Sequence, residues 1–226
     1  PSSSIRQHIE GVIVNGKNAM AGILGMASES LSPFTASKSL QRIAAKSTLD
    51  IHAFKDPNRK TAMFLIVPDE QTTFHFFVAS FVKQVYSAAL DDAYRCEGGA
   101  LPRRLNFVLD EFANLPRIPE MSTMITAARS RNIRFYLVVQ SDNQLSEHYQ
   151  EEAETVKTNC LNWIYLNTKE VKLIEQVQKM AGSTKRTPGS KPLISQFELA
   201  NLRKVYGEEG GAQALILISR CKPFMT

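Results

Sequence analysis

The sequence is poor in cysteine and contains no long apolar run. Its 226 residues include three cysteines, Cys96, Cys160 and Cys221. Because they are few and widely spaced, they exclude a disulfide framework and a zinc site, and a reducing compartment is the simpler interpretation. No stretch of about 18 apolar residues occurs, so these residues span no membrane. With 43% hydrophobic residues and a net charge of +5, the chain can build one sizeable core and permits, without requiring, a polyanionic partner.

A complete phosphate-binding loop is also absent from the sequence. Such a loop follows the pattern G-x-x-x-x-G-K-[ST], in which the final hydroxyl binds Mg²⁺. The nearest match begins at Gly11, but Asn18 stands at the hydroxyl position and no strand precedes the match. The apolar residues of this region instead follow the spacing of an amphipathic helix. They are Ile5, Ile9, Val12, Ile13, Met20, Ile23, Leu24, Ala27 and Leu31.

Five short apolar runs, rich in β-branched and aromatic residues, predict buried β-strands. They are Thr61–Pro68, Leu105–Glu111, Arg134–Gln140, Asn162–Asn167 and Ala214–Ser219. Two of the connections, at 71–92 and 169–181, carry apolar residues at helical spacing. The runs do not alternate between apolar and polar residues, so we expect both faces of a mainly parallel sheet to be covered by helices. The sequence therefore predicts the α/β class, with ligands bound beyond the carboxyl ends of the strands.

Two acidic residues, Asp110 and Glu111, end the second of these runs. In a nucleotide hydrolase, a carboxylate at this position holds Mg²⁺ on the phosphates, and a second one accepts a proton from the attacking water. The alternative is a buried strand whose acids merely open the next loop. Taken alone, the run does not decide between these two interpretations.

Two further polar positions bear on that choice. Gln140 ends the third run, where a neutral amide can bond both a γ-phosphate oxygen and a water, although a polar strand end is the simpler alternative. Arg129 and Arg131 follow the helix expected after the acidic strand. An arginine there can neutralise charge at the nucleotide of a neighbouring subunit. A solvated helix end is the alternative, and the spacing does not decide between the two arginines.

Three motifs in this order carry a resemblance to a known family. They are VLDEFANLP at 108–116, AARSRNI at 127–133 and VVQSDNQL at 138–145. Their order and spacing resemble the TraG/TraD-type coupling ATPases of conjugation and type IV secretion. The resemblance continues to PLIS-x-x-EL at 192–199 and covers roughly residues 30 to 226.

The resemblance implies a RecA-like P-loop ATPase that binds ATP and Mg²⁺ and works as a ring-shaped homo-hexamer. Such a motor lies at the cytoplasmic face of the bacterial membrane. It receives single-stranded DNA with its relaxase or relaxosome, or secreted protein substrates, and passes them to the type IV secretion channel. By the same resemblance, Asp110 and Glu111 correspond to the Walker B acids, with Asp110 on the metal. Gln140 corresponds to the phosphate-sensing glutamine, and Arg129 to an arginine finger acting in trans.

The resemblance also implies a domain division. Residues 1–31 resemble the last helix of an inserted all-helical domain, and residues 32–226 resemble an incomplete RecA-like nucleotide-binding domain. In the family this helical domain is inserted after the phosphate loop, so the resemblance implies that the phosphate loop and the membrane anchor typical of the family lie upstream. The chain opens at Pro1 without an initiator methionine, which indicates a fragment or processed piece. The chain alone is then expected to bind ATP weakly and to hydrolyse it negligibly.

Two other functions compete with the coupling motor. The first is a related RecA-like pump acting on double-stranded DNA, which the match to the Gln-Ser and PLIS-x-x-EL motifs disfavours. The second is a non-catalytic adaptor that keeps the fold and recruits a substrate or relaxase. An adaptor has no chemical need for the acids, the arginine and the glutamine together, and for that reason the sequence favours the motor.

Overall fold

The computed structural model describes residues 51–67, 72–184, 190–203 and 212–226, together with scattered positions between 21 and 50. The chain divides into two compact units, one formed by residues 1–50 and 67–74 and the other by residues 51–66 and 75–226. At the described positions between 21 and 42, the backbone is helical except at Ser37. Most of the helix predicted before residue 31 lies outside the described residues, so the domain boundary predicted there stays a prediction.

The described residues from 51 onward form six helices and five strands. The helices are α1 (Thr72–Arg95), α2 (Met121–Ala128), α3 (Asp142–Tyr149), α4 (Glu151–Asn159), α5 (Val171–Ala181) and α6 (Gln196–Ala200). The strands are β1 (Leu105–Leu109), β2 (Ile133–Leu137), β3 (Asn162–Tyr165), β4 (Leu215–Ile218) and β5 (Phe224–Met225). Short 3₁₀ turns occur at Ala53–Lys55, Glu97–Gly99, Phe112–Asn114 and Arg129–Arg131. In the described part of the chain, no helix is long and apolar enough to cross a membrane.

Strands β1 and β2 are parallel, as the sequence predicts. Their register aligns Leu105 with Ile133 and Leu109 with Leu137. The chain leaves β1 through a 3₁₀ turn and helix α2 before it enters β2. The carboxyl ends of both strands therefore meet at one edge of this sheet, which brings Asp110 and Glu111 close to the segment that ends in Gln140.

The other sheet departs from the expected parallel pairing. Strands β3, β4 and β5 pair antiparallel in that order. The α/β class predicted from the sequence is confirmed, but parallel pairing holds for β1 and β2 and is wrong for β3 and β4. Apolar content gives no information on strand direction, which depends on the connection between strands.

The expectation that both faces of the strands are covered is also wrong. In β1, Leu105, Phe107 and Leu109 are buried, whereas Val108 is 68% exposed, and the paired Tyr136 on β2 is 51% exposed. The predicted strand at Thr61–Pro68 is not formed over its described part, 61–67, where Phe64 and Ile66 are almost fully exposed. A run of apolar residues becomes a strand only where another strand completes its hydrogen-bond ladder.

Two hydrophobic clusters stabilise the described structure. One lies between β1, β2 and helices α1 to α4, and the other between the β3–β4 pair and helices α5 and α6. In the first cluster, Phe112 and Tyr149 are fully buried and their rings stack at 5.1 Å. Burial of each such ring contributes about 1.5–3 kcal/mol, so the segment that follows β1 is fixed firmly to the core.

Candidate active site

The two acids lie where β1 ends and the chain turns. Asp110 is exposed, and its Oδ1 accepts a hydrogen bond from the backbone N–H of Glu111 at 3.0 Å. Glu111 has φ 47° and ψ 41°, in the left-handed region that residues other than glycine seldom occupy. This conformation ends the strand abruptly and directs the chain into the 3₁₀ turn Phe112–Asn114. Backbone strain of this kind is found most often at functional sites.

Backbone hydrogen bonds continue past the end of β2 and place Gln140 beside the acids. The N–H of Val138 donates to the carbonyl of Leu109 at 3.0 Å, and the N–H of Phe112 donates to the carbonyl of Val138 at 2.9 Å. Residues 138–140 therefore run alongside residues 110–112, although they are not part of a regular strand. The sequence predicts that Gln140 lies near the acids because both strands end at the same edge, and the structure has Gln140 there.

Glu111 is the centre of this cluster. Gln140 Nε2 donates to Glu111 Oε1 at 2.7 Å, and Asn114 Nδ2 donates to Glu111 Oε2 at 2.6 Å. Asn114 was not among the site residues expected from the sequence. Its bond to Glu111 depends on the left-handed backbone of Glu111, which no residue propensity indicates, so no signal in the sequence pointed to it.

The segment after Gln140 is fixed by a helix cap. Ser141 Oγ accepts hydrogen bonds from the backbone N–H groups of Asn143 and Gln144, which begins helix α3. Glu170 Oε2 accepts the N–H of Asp142 at 3.1 Å. This cap sets the direction in which the chain leaves Gln140.

A neighbouring acid, Asp142, is already paired within the protein. Lys157 Nζ lies 3.1 Å from Asp142 and 3.0 Å from Glu154. Although burial alone would lower the pKa of Lys157, its hydrogen bonds to Glu154 and Asp142 raise that pKa above its ordinary value. Because Asp142 is neutralised by this lysine, Asp110 and Glu111 remain the acids available at the end of β1.

The two arginines lie at the opposite edge of the β1–β2 pair, before β2 begins. β2 is a five-residue strand, so it separates them from Gln140 by about 15 Å. Arg131 Nη1 donates to the carbonyl of Gly99 at 2.7 Å, and its guanidinium lies 4.4 Å from the ring centroid of Tyr94. Arg129 is exposed, and its side chain makes no hydrogen bond or ion pair with the described residues. The structure therefore does not bring Arg129 to the acids of its own chain.

The acids and amides fit one part of a Mg²⁺–nucleotide site. Magnesium is usually bound by one or two carboxylates together with water and substrate phosphates, and the exposed carboxylate of Asp110 suits that role. The described residues hold no group of three or more potential metal-ligating side chains, so Asp110 would have to share the metal with phosphate and water. No lysine or arginine among them contacts Asp110, Glu111 or Gln140. The rejected loop at 11–18 lies outside the described residues.

The described fold is an α/β domain of the RecA-like type. Solved structures of the plasmid coupling protein TrwB are similar over the whole of this chain. The complex with a non-hydrolysable GTP analogue and the unbound monoclinic form of bacterial TrwBdeltaN70 each have a TM-score of 0.74 at 18% sequence identity. The complex with ADP and Mg²⁺ has a TM-score of 0.69 at 17% identity. In all three, this chain is covered completely and spans 54% of the TrwB chain.

One segment of the sequence matches a family model. Residues 104–192 match the family model that describes the TraM recognition site of TraD and TraG. This segment contains the acids, both arginines and Gln140. The resemblance to the TraG/TraD-type coupling proteins is thus confirmed over that segment. Among curated proteins, none gives a significant sequence match.

Proposed function

We propose that the protein containing this chain is an ATP-driven coupling motor that passes single-stranded DNA or protein substrates to a conjugative or type IV secretion channel. The observation that carries this proposal is the contact between Glu111 and Gln140 at the carboxyl edge of β1 and β2. It lies inside the segment that matches the TraM recognition site of TraD and TraG. A carboxylate beside an amide at this edge is the arrangement that water activation next to a phosphate requires.

Each site residue then has one role in hydrolysis. Asp110 would hold Mg²⁺, which would supply positive charge beside the phosphates. The water oxygen forms a bond to the γ-phosphorus, the bond to the bridging oxygen breaks, and its electron pair leaves with ADP. Glu111 accepts the proton of that water. Gln140 bonds the γ-phosphate and thereby distinguishes ATP from ADP.

The site described here would be completed by residues elsewhere. We propose that a phosphate-binding loop lies upstream of Pro1, so that the chain alone binds ATP weakly. Arg129 is proposed to act on the nucleotide of a neighbouring subunit in a homo-hexamer. Its exposure supports that role over a role in its own site, and the bond from Arg131 to Gly99 supports Arg129 over Arg131.

The partners follow from the same assignment. The family description supports recognition of a relaxosome protein of the TraM kind by the region around residues 104–192. A relaxase and its single-stranded DNA, or a secreted protein, would be the substrate. We place the motor at the cytoplasmic face of the bacterial membrane, with an anchor outside this chain.

The test is the ATPase activity of the upstream-extended protein with and without single-stranded DNA, compared with its Glu111→Gln variant. Loss of the general base should lower the rate by about 10²–10⁴-fold. Glu175→Gln, which changes an exposed glutamate on α5, is the matched control and should leave the rate unchanged. An inactive parent that binds DNA or a relaxase would favour the adaptor, and activity indifferent to Glu111 would refute the assignment of the acids.

A further inference from the structure

Glu111 is held by two amides, one on each carboxylate oxygen. The bond from Asn114 Nδ2 to Oε2 is 2.6 Å long, and the bond from Gln140 Nε2 to Oε1 is 2.7 Å long. Each is a direct hydrogen bond from an amide N–H to a carboxylate oxygen. The orientation of the carboxylate is therefore set by Asn114 and Gln140 together.

The two amides are attached to parts of the fold that differ in burial. Asn114 ends the 3₁₀ turn in which Phe112 is 0% and Ala113 is 2% exposed. The backbone N–H of Asn114 also donates to the carbonyl of Glu111 at 2.8 Å. Asn114 is therefore fixed to Glu111 through the backbone and through the core.

The side chain of Gln140 has no comparable support, although the bonds of Val138 and the Ser141 cap hold the backbone on either side of it. It follows Val138 and Val139, which are 49% and 39% exposed and lie beyond the end of β2. Among the described residues, its side chain bonds Glu111 alone. The amide nitrogen of Gln140 carries two hydrogens, so one can bond a γ-phosphate, and a reorientation of the side chain toward that phosphate releases its bond to Oε1. During that exchange, Asn114 is the amide that remains on the carboxylate.

We propose that Asn114 is the positioning residue for Glu111: it holds Oε2 so that Oε1 stays directed at the water while Gln140 moves to the phosphate. This inference rests on the proposed function, because it assigns a helper to the base of that reaction. A glutamate side chain has three rotatable bonds, so without Asn114 it samples orientations from which it cannot reach the water. A general base has to stay within about 2.6–3.2 Å of the oxygen atom that carries the proton it accepts.

The experiment compares Asn114→Ala and Asn114→Asp in the upstream-extended protein. The alanine variant should lower kcat by roughly 10- to 100-fold, because a misplaced catalytic group costs a factor of that size. KM for ATP should change little, since the side chain of Asn114 is bonded to Glu111 and its proposed role is to position that base. The aspartate variant is isosteric but replaces the donor with a second carboxylate. It should therefore be less active than the alanine variant.

That order distinguishes positioning from a structural role. If Asn114 served the turn alone, the isosteric Asn114→Asp protein would behave like the wild type, because aspartate is equally suited to turns. Wild-type activity in Asn114→Asp, or unchanged or increased kcat in Asn114→Ala, would overturn the inference. Asn201→Ala is the matched control, because it removes an exposed amide that donates to the carbonyl of Phe197 on α6. Thermal unfolding establishes that all variants fold.

The experiment distinguishes failure of the positioning role of Asn114 from failure of the proposed function. If Glu111→Gln is inactive while Asn114→Ala keeps the wild-type kcat, the role of Asn114 is refuted and the proposed function stands. If Glu111→Gln keeps full activity, the base is misassigned and both fall together. If Glu111→Gln is inactive and kcat decreases from wild type to Asn114→Ala to Asn114→Asp, the positioning role is supported.

Discussion

The two edges of the β1–β2 pair carry similar numbers of polar residues but use them differently. At the carboxyl edge, the side chains of Glu111, Gln140 and Asn114 bond one another. At the amino edge, Arg131 and Asn132 donate to the backbone carbonyls of Gly99 and Leu101. Polar groups that satisfy the main chain belong to the fold, whereas exposed groups that bond only other side chains can exchange those bonds for a ligand.

Gly99 illustrates how closely the amino edge is packed. Its φ is +66°, and a Cβ atom built on it would lie 2.9 Å from Nη1 of Arg131. The turn therefore requires both a left-handed backbone and the close approach of a guanidinium. Arg129, two residues before Arg131, takes no part in this packing. Variants of the two arginines therefore test whether exposed groups serve function and packed groups serve the fold.

The largest expected effect is on catalysis by the assembled protein. Arg129→Ala should lower the ATPase rate by about 10³-fold or more if the residue acts as an arginine finger. Stability should change by less than about 0.5 kcal/mol, because the side chain is exposed. Mixing Arg129→Ala subunits with Glu111→Gln subunits should restore part of the activity, measured as phosphate release. No recovery in the mixture would argue against action across an interface.

Removal of the ring that anchors the carboxyl edge should have the largest effect on stability. Phe112→Ala deletes a fully buried side chain stacked on Tyr149 and should lower the free energy of unfolding by about 3–5 kcal/mol. Urea unfolding of the isolated chain measures this change. Phe197→Ala, at a position that is 76% exposed, is the control and should change stability little. Similar losses in both variants would mean that Phe112 does not hold the 3₁₀ turn.

Arg131→Ala should lower stability and have little direct effect on ATPase activity, which is the opposite of the result expected for Arg129→Ala. It removes the bond to Gly99 and the contact with the Tyr94 ring, so unfolding should become easier by about 1.5–3 kcal/mol. ATPase activity should fall only in proportion to the folded fraction, and mixing with Glu111→Gln subunits should give no recovery. Recovery on mixing would transfer the finger role to Arg131.

The smallest effect is expected at Tyr149, whose hydroxyl accepts the N–H of Ile118 at 3.2 Å. Burial raises the pKa of Tyr149 to about 12. Its ordinary value is about 10, so the unfolded chain loses this proton first. The wild type should therefore keep its stability below pH 10 and lose part of it as the pH rises towards 12.

Tyr149→Phe isolates this contribution. The variant should be about 1 kcal/mol less stable at neutral pH, because the N–H of Ile118 loses its partner. The difference from the wild type should shrink above pH 10. Chemical denaturation at a series of pH values measures both quantities, and a difference that is constant up to pH 12 would contradict the cause given for the shift.

The sequence predicted the bounds of the helices and strands around the site more accurately than the contacts between them. Periodicity placed a helix at 71–92 and one at 169–181, where the structure has Thr72–Arg95 and Val171–Ala181. Apolar runs placed β1 to β4 to within a few residues. The joint location of Asp110, Glu111 and Gln140 followed from strand ends meeting at one edge, which is a property of parallel pairs.

The features that were missed depend on contacts distant in sequence or on short turns. β5 has two residues, Phe224 and Met225, too few for any pattern. The break between α3 and α4 depends on Gln150, which has φ 48°. The bond from Asn114 to Glu111 depends on a left-handed backbone at a glutamate, which no propensity indicates.

The left-handed backbone at Glu111 lowers the stability of the fold at the residue proposed as the catalytic base. A residue other than glycine in this conformation costs about 1–2 kcal/mol. The backbone at 111 would therefore be more relaxed with the side chain removed, and Glu111→Gly is expected to unfold at higher urea concentration than the wild type. A screen for thermal stability alone would then select against the proposed base, and a thermostable variant of this domain should be sequenced at position 111 before its activity is compared.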